Sequence, residues 1–139
     1  MTKTSILLVD DETAILDICE RILVNKLYHV LTATSAEKAL EILDKESVHI
    51  LITDISMPGM GGKKLLEESK KRYPDMSAAI ITGYGDANLI RESMSLGAQA
   101  FIVKPFSPSE LKEMVNSLAN KKNSLREKVQ FKTLMPVLE

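Results

Sequence analysis

Four short apolar runs punctuate this chain, and each leads into a polar residue. Ile6-Leu7-Leu8-Val9 runs into Asp10-Asp11, and Ile50-Leu51-Ile52-Thr53 into Asp54. Ala78-Ala79-Ile80-Ile81 runs into Thr82, and Ala100-Phe101-Ile102-Val103 into Lys104. Runs of this length, bounded by polar or turn residues, predict strands covered on both faces, as in a parallel sheet flanked by helices. Stretches of helical period alternate with them through short connections, so the pattern predicts an α/β fold with right-handed crossovers. Ligands of such sheets sit outside the carboxyl ends of the strands. The polar residues all lie at those ends and should converge on one site.

The intervening segments carry their own signals. Ala14 to Leu27 places Ile15, Ile18, Cys19, Ile22 and Leu23 on one helical stripe. Val30 to Ala33 reads as a short second strand. Thr34-Ser35-Ala36-Glu37 reads as a capping box with Thr34 as the cap, opening a helix to about Lys45 that presents Ala39, Leu40, Ile42 and Leu43. Met57-Pro58-Gly59-Met60-Gly61-Gly62 is a loop by its Pro and Gly content, with Gly61-Gly62 adding mobility, before a helix from about Lys63 to Tyr73 stopped by Pro74. A helix from about Asp86 to Leu96 ends on Gly97 as its C-cap. Ser107-Pro108-Ser109-Glu110 starts a last helix with a capping box and proline at the first helical position. The pattern totals five strands and five helices. Beyond them, Leu111, Val115, Leu118, Lys122, Leu125 and Val129 follow a coiled-coil spacing broken by Lys122. Either a helix continues along that seam, or the first three residues pack on the sheet and the rest is a linker.

Composition narrows the function classes. The 139 residues suit one domain of ordinary size, and 45% hydrophobic with 27% charged residues are globular values. A net charge of −1, from 18 basic and 19 acidic residues, leaves no basic footprint for nucleic acid or a membrane surface. No apolar stretch approaches the ~20 residues of a membrane span, and no signal-peptide pattern opens the chain. A single cysteine excludes an intramolecular disulfide and fits a reducing, cytoplasmic setting.

The strand-end residues imply a chemistry. Three carboxylates held together repel one another, and a divalent cation relieves that. An oxygen-only set selects a hard ion such as Mg²⁺ over zinc. An aspartate is also a nucleophile toward phosphorus, and a lysine and a metal ion are suited to the charge spread over a transferring phosphoryl group.

These residues and their spacing resemble the receiver domain of bacterial two-component response regulators. An acid pair after strand one, Asp54-x-x-Met57-Pro58-x-Met60 after strand three, Thr82 after strand four and Lys104-Pro105-Phe106 after strand five occur in order. The resemblance implies a flavodoxin-like, doubly wound five-stranded parallel sheet in the order 2-1-3-4-5 with five flanking helices. It implies a receiver over residues 3–122, with 123–139 a helical extension or linker. Residue by residue, it implies Asp54 as phosphoacceptor, Asp11 as a direct Mg²⁺ ligand, Asp10 acting on the metal largely through water, and the backbone carbonyl of Ser56 as a further metal oxygen. Lys104 would pair with the acyl phosphate, the Lys104-Pro105 bond is expected cis, and Thr82 with Phe101 form the hydroxyl–aromatic switch. Ser56 and Tyr84 stand at positions that tune phosphoryl lifetime in the family. The implied partners are a sensor histidine kinase or phosphotransfer protein, and an effector domain or protein reached through the surface of helix 4, strand 5 and helix 5. A homodimer is open. Such a protein catalyses only its own phosphorylation and dephosphorylation.

Plainer roles exist for single residues. A lone strand-end aspartate is ordinarily a helix cap, Thr82 alone a turn hydroxyl, Phe101 alone a core strand residue, and Tyr84 an exposed loop aromatic. Cys19 reads as a buried core thiol, and His29 and His49 as packing or surface residues at the far edge from the acids. Gly59-Met60-Gly61-Gly62-Lys63-Lys64 has a misplaced glycine and no Ser/Thr after the lysine, so it is not a nucleotide loop. The rival activity is an aspartyl-phosphate phosphohydrolase acting on external substrates. Enzymes of that kind place a second aspartate two residues after the nucleophile, where this chain has Ser56. A scaffold-only receiver would lack a site residue, and none is missing.

Overall fold

The computed structural model describes residues 3–83 and 87–120. Strands and helices alternate as β1 (Thr4–Val9), α1 (Thr13–Ile22), β2 (Tyr28–Ala33), α2 (Ala36–Lys45), β3 (Ile50–Asp54), α3 (Gly61–Arg72), β4 (Ser77–Thr82), α4 (Ala87–Ser95), β5 (Ala100–Val103) and α5 (Pro108–Ala119). The strands form one sheet in the order β2-β1-β3-β4-β5, and every pairing is parallel. Alternation of side chains along each strand divides the interior into two cores. Leu7 and Val9 of β1 face α2 and α3, joining Leu40, Leu51, Leu65 and Ile80. Ile6 and Leu8 face α1 and α5, joining Leu16, Ile52, Ile81 and Leu111.

The predicted elements are all present, with differences that have local causes. Helix α1 stops at Ile22 rather than Leu27, and its sheet-facing residues are Leu16, Cys19 and Leu23. Ile18, expected on the buried stripe, is 50% exposed. The i, i+3, i+7 spacing of Leu16, Cys19 and Leu23 is the stripe the sheet selects. The cap of α2 is Ser35 rather than Thr34: Ser35 Oγ accepts from the Lys38 N–H, while Thr34 Oγ1 receives the Lys38 ammonium. Ile42 is only partly buried, at the margin of its core. The capping box at Ser107 is present, and Leu111, Val115 and Leu118 pack α5 on the sheet as expected. Gly97 follows α4 at φ +114°. Tyr84, the start assigned to helix 4 at Asp86, and the seam residues Lys122, Leu125 and Val129, with the extension 123–139, lie outside the described residues. Among those described, no helix is long and apolar enough to cross a membrane.

Helix α3 begins at Gly61, two positions earlier than Lys63, so Gly61-Gly62 is helix rather than mobile loop. The cause is a close approach: the Gly62 N–H donates to the Ile55 carbonyl at 3.2 Å. A Cβ on Gly62 would sit 2.1 Å from the Asp54 carbonyl oxygen. Gly61, at φ +78°, has open space around it. Gly62→Ala is therefore expected to cost about 3 kcal/mol through steric overlap, and Gly61→Ala about 1–2 kcal/mol through backbone strain alone. Urea denaturation of both variants checks the order; equal or reversed losses would contradict the close approach.

Candidate functional site

Register places the strand-end residues side by side. Val9 is paired with Thr53, so Asp10 and Asp54 leave neighbouring strands at one level. Thr82 pairs with Val103, one residue before Lys104, and the Lys104 N–H donates to the Thr82 carbonyl at 2.8 Å. The same turn shapes both aspartate ends. Asp10 Oδ1 accepts the Glu12 N–H at 2.9 Å, and Asp54 Oδ1 accepts the Ser56 N–H at 3.0 Å. Each aspartate so uses one oxygen to fold its own loop, an Asx-type device.

The second oxygens meet the lysine. Lys104 Nζ lies 2.9 Å from Asp10 Oδ2 and 3.3 Å from Asp54 Oδ2. The contact with Asp54 is a hydrogen bond. That with Asp10 is a close ion pair without hydrogen-bond alignment, leaving a buried Oδ2 that receives no hydrogen bond. Asp10, Asp54 and Thr82 are buried, and Asp11 is exposed. Burial pushes the Asp54 carboxyl above its usual value and the Asp10 charge adds to this, while the Ser56 N–H and Lys104 oppose it. Burial alone would lower the Lys104 ammonium, but contact with Asp10 and the charges of Asp54 and Asp10 outweigh it and raise its pKa.

Carboxylate oxygens of Asp10, Asp11 and Asp54 all lie within 4.8 Å of one another. An all-oxygen set with one buried oxygen short of a hydrogen bond fits a hard divalent cation. A cleft of about 370 Å³ opens beside it, lined by Glu12, Asp54, Ser56, Thr82, Gly83, Leu89 and Lys104.

The structure thus brings together Asp10, Asp11, Asp54, Ser56, Thr82 and Lys104, and the Lys104-Pro105 peptide is cis. Phe101 stands apart on β5, 47% exposed over a separate groove with Glu110 and Met114. Sequence reasoning missed Glu12, whose neighbours Asp10-Asp11 were its only signal, and Leu89 and Gly62, which carry none. Cys19 is buried as expected, its thiol pushed up to about 11 chiefly by burial, with the Asp10 charge adding. His49 has a structural role at the opposite edge, its Nδ1 accepting the Ser5 N–H at 2.9 Å.

Known proteins resemble this chain in fold and in sequence. A receiver domain from Methanospirillum hungatei JF-1, described as CheY-like, superposes with a TM-score of 0.82 at 35% identity, covering 88% of this chain and 99% of that one. NtrX from Brucella abortus superposes at 0.84 and 29% identity, covering 94% of this chain and 30% of that one. In sequence, response regulator SaeR of Staphylococcus aureus is 34% identical over 83% of this chain and 50% of its own length. The probable transcriptional regulator ycf27 of Guillardia theta is 35% identical over 88% and 48%. This chain therefore spans half or less of these two relatives. Residues 6–116 match the response regulator receiver domain family, and the chain belongs to that family.

Proposed function

We propose that this receiver accepts a phosphoryl group on Asp54, from a histidine kinase, a phosphotransfer protein or a small acyl phosphate. The observation that carries the reading is the single ammonium of Lys104 bridging Asp10 and Asp54 at 2.9 and 3.3 Å in a cleft that also holds Thr82. Asp10, Asp11, Asp54 and the Ser56 carbonyl would hold Mg²⁺, which would offset the carboxylate charges and supply Lewis-acid stabilisation of a transferring phosphoryl group. An Asp54 carboxylate oxygen attacks phosphorus; its new O–P bond forms as the donor's P–N or P–O bond breaks, and the leaving group takes the electron pair. The Ser56 N–H fixes the carboxylate. Lys104 exchanges its contact with Asp54 for the equatorial phosphoryl oxygens, where the charge is spread. Water later cleaves the acyl phosphate.

Thr82 is placed to turn toward the new oxygens, and Phe101 follows it. Phe101 and Val103 lie on one face of β5, and Val103 is the register partner of Thr82. The surface of α4, β5 and α5 then changes, as a local charge event biasing a two-state element. Helix α4 suits this role because, among its described residues, it fully buries only Ser93. The partner at that surface is an effector domain, a separate protein or a second copy of the chain. We place the protein in the cytoplasm, and it turns over no external substrate.

Incubation with acetyl phosphate and Mg²⁺ is expected to add one phosphoryl group to the wild type by intact mass and none to Asp54→Asn. Undiminished uptake by the variant would overturn the assignment. Sustained phosphate release from a phosphomonoester would point to a hydrolase instead.

Stability offers a second test. A carboxyl whose pKa is raised by folding favours the folded state below the usual carboxyl range and costs stability as pH rises through its folded pKa. Ionised Asp54 therefore weakens the metal-free protein at neutral pH. Asp54→Asn should raise the urea midpoint at pH 7 without metal, and the gain should fade below pH ~4. Mg²⁺ at a hundred times its dissociation constant should stabilise the wild type by about 2.7 kcal/mol and the variant by less. A destabilised metal-free Asp54→Asn would contradict the charge argument.

A further inference from the structure

Glu12 breaks a local rule. It occupies the N-cap of α1 with extended backbone (φ −92°, ψ 107°), yet its side chain caps no helical N–H. Caps are normally Ser, Thr, Asp or Asn, whose short side chains reach the free amides of the first turn. A position that breaks such a rule without structural gain is where a functional constraint is expected. The carboxylate turns into the cleft instead. Its Oε1 lies 3.6 Å from Lys104 Nζ, and Glu12 lines the same cavity as Asp54, Ser56, Thr82 and Lys104.

The three carboxylates around Lys104 are not equivalent. Asp10 and Asp54 are buried, and each is held by a backbone N–H. The side chain of Glu12 is 64% exposed, and Lys104 is its one ion-pair partner among the described residues. Exposed pairs are weak, so Glu12 is the acid that leaves most easily when an incoming group takes the lysine. Until then it sets a negative charge at the mouth of a cleft whose donors are themselves anionic.

We propose that Glu12 is a charge gate on phosphoryl entry, holding Lys104 at rest and slowing small dianionic donors relative to donors of lower net charge. The gate rests on the reading of Asp54 as phosphoacceptor. A protein donor presenting a basic side chain opposite Glu12 would cancel the repulsion, whereas a free acyl phosphate has nothing to cancel it with.

The test compares acetyl phosphate, a dianion at neutral pH, with phosphoramidate, which carries one net negative charge. In Glu12→Gln, phosphorylation by acetyl phosphate at low ionic strength, read by intact mass, is expected to accelerate about three- to tenfold. The gain should be about half as large on a logarithmic scale with phosphoramidate, and should shrink as salt is raised. In the metal-free, unphosphorylated protein, the ¹⁵Nζ resonance of Lys104 should shift in the same variant, reporting the lost ion pair without any chemistry. Glu12→Ser, which restores an ordinary cap, should show the same acceleration on a fold at least as stable. Wild-type rates in both variants would overturn the gate and leave Asp54 as acceptor. Equal, salt-independent gains with both donors would also overturn it, because a loosened loop rather than a charge would then be at work. Absence of phosphorylation of the wild type by either donor would overturn the acceptor reading and the gate with it.

Discussion

The site depends on keeping like charges together at the end of a parallel sheet. Two unit charges about 4 Å apart interact by about 4 kcal/mol at an effective dielectric near 20, and here three carboxylates reach within 4.8 Å of one another. Separate loops would drift apart under that repulsion. Strands β1 and β3 cannot, because their ladder and the two cores on either side fix the level at which Asp10 and Asp54 emerge. Lys104 supplies the compensation from the far strand β5, reaching back past β4 to both acids. A single lysine against three acids leaves net negative charge, which suits the cluster to a cation.

Rigidity and mobility are divided accordingly. Strands β3 and β4 are buried along their whole length and β1 over its last four residues, so Asp54 and its neighbours are held in place. Helix α4 contributes Leu89 to the cleft wall but little to the interior, and its pairing with α3 through Glu92 and Lys63 is solvent-exposed. Elements with few buried contacts open at low cost. On the proposed function, a change of charge at Asp54 would be felt first where the fold resists least.

Much of this was legible in the residue pattern, because the strongest signals here are physical ones. Apolar runs ending in Asp10, Asp54, Thr82 and Lys104 marked both the strands and the site, since a parallel sheet puts strand ends and ligands in one place. Ser107-Pro108 with Glu110 marked α5 through its cap chemistry. What failed was phase and boundary. Ile18 and Leu16 are both apolar, and only the docking of α1 decides which one faces the sheet. Thr34 and Ser35 can both cap a helix, and the one that does so is Ser35, with extended backbone and its hydroxyl on the Lys38 N–H. Gly61-Gly62 looked like loop because the reason for glycine is a neighbouring strand's carbonyl, which no local pattern contains. Glu12 was passed over for a related reason: its role exists only once β5 brings Lys104 beside it.

The turn after β1 explains how three consecutive acids avoid acting as one block of charge. Asp10 folds back on the Glu12 N–H, which buries the first acid, leaves Asp11 exposed and puts Glu12 at the helix start. Asp54 repeats the device with Ser56 in place of an acid. The two turns therefore present matching oxygens to Lys104 from the interior, while Asp11 and Glu12 are exposed. Burial decides which acids need a replacement when a partner leaves: a buried carboxylate must be compensated by another group, whereas an exposed one can surrender its partner to water. A run of identical charge in the sequence so becomes a fixed charge, a solvent-facing carboxylate and a releasable one.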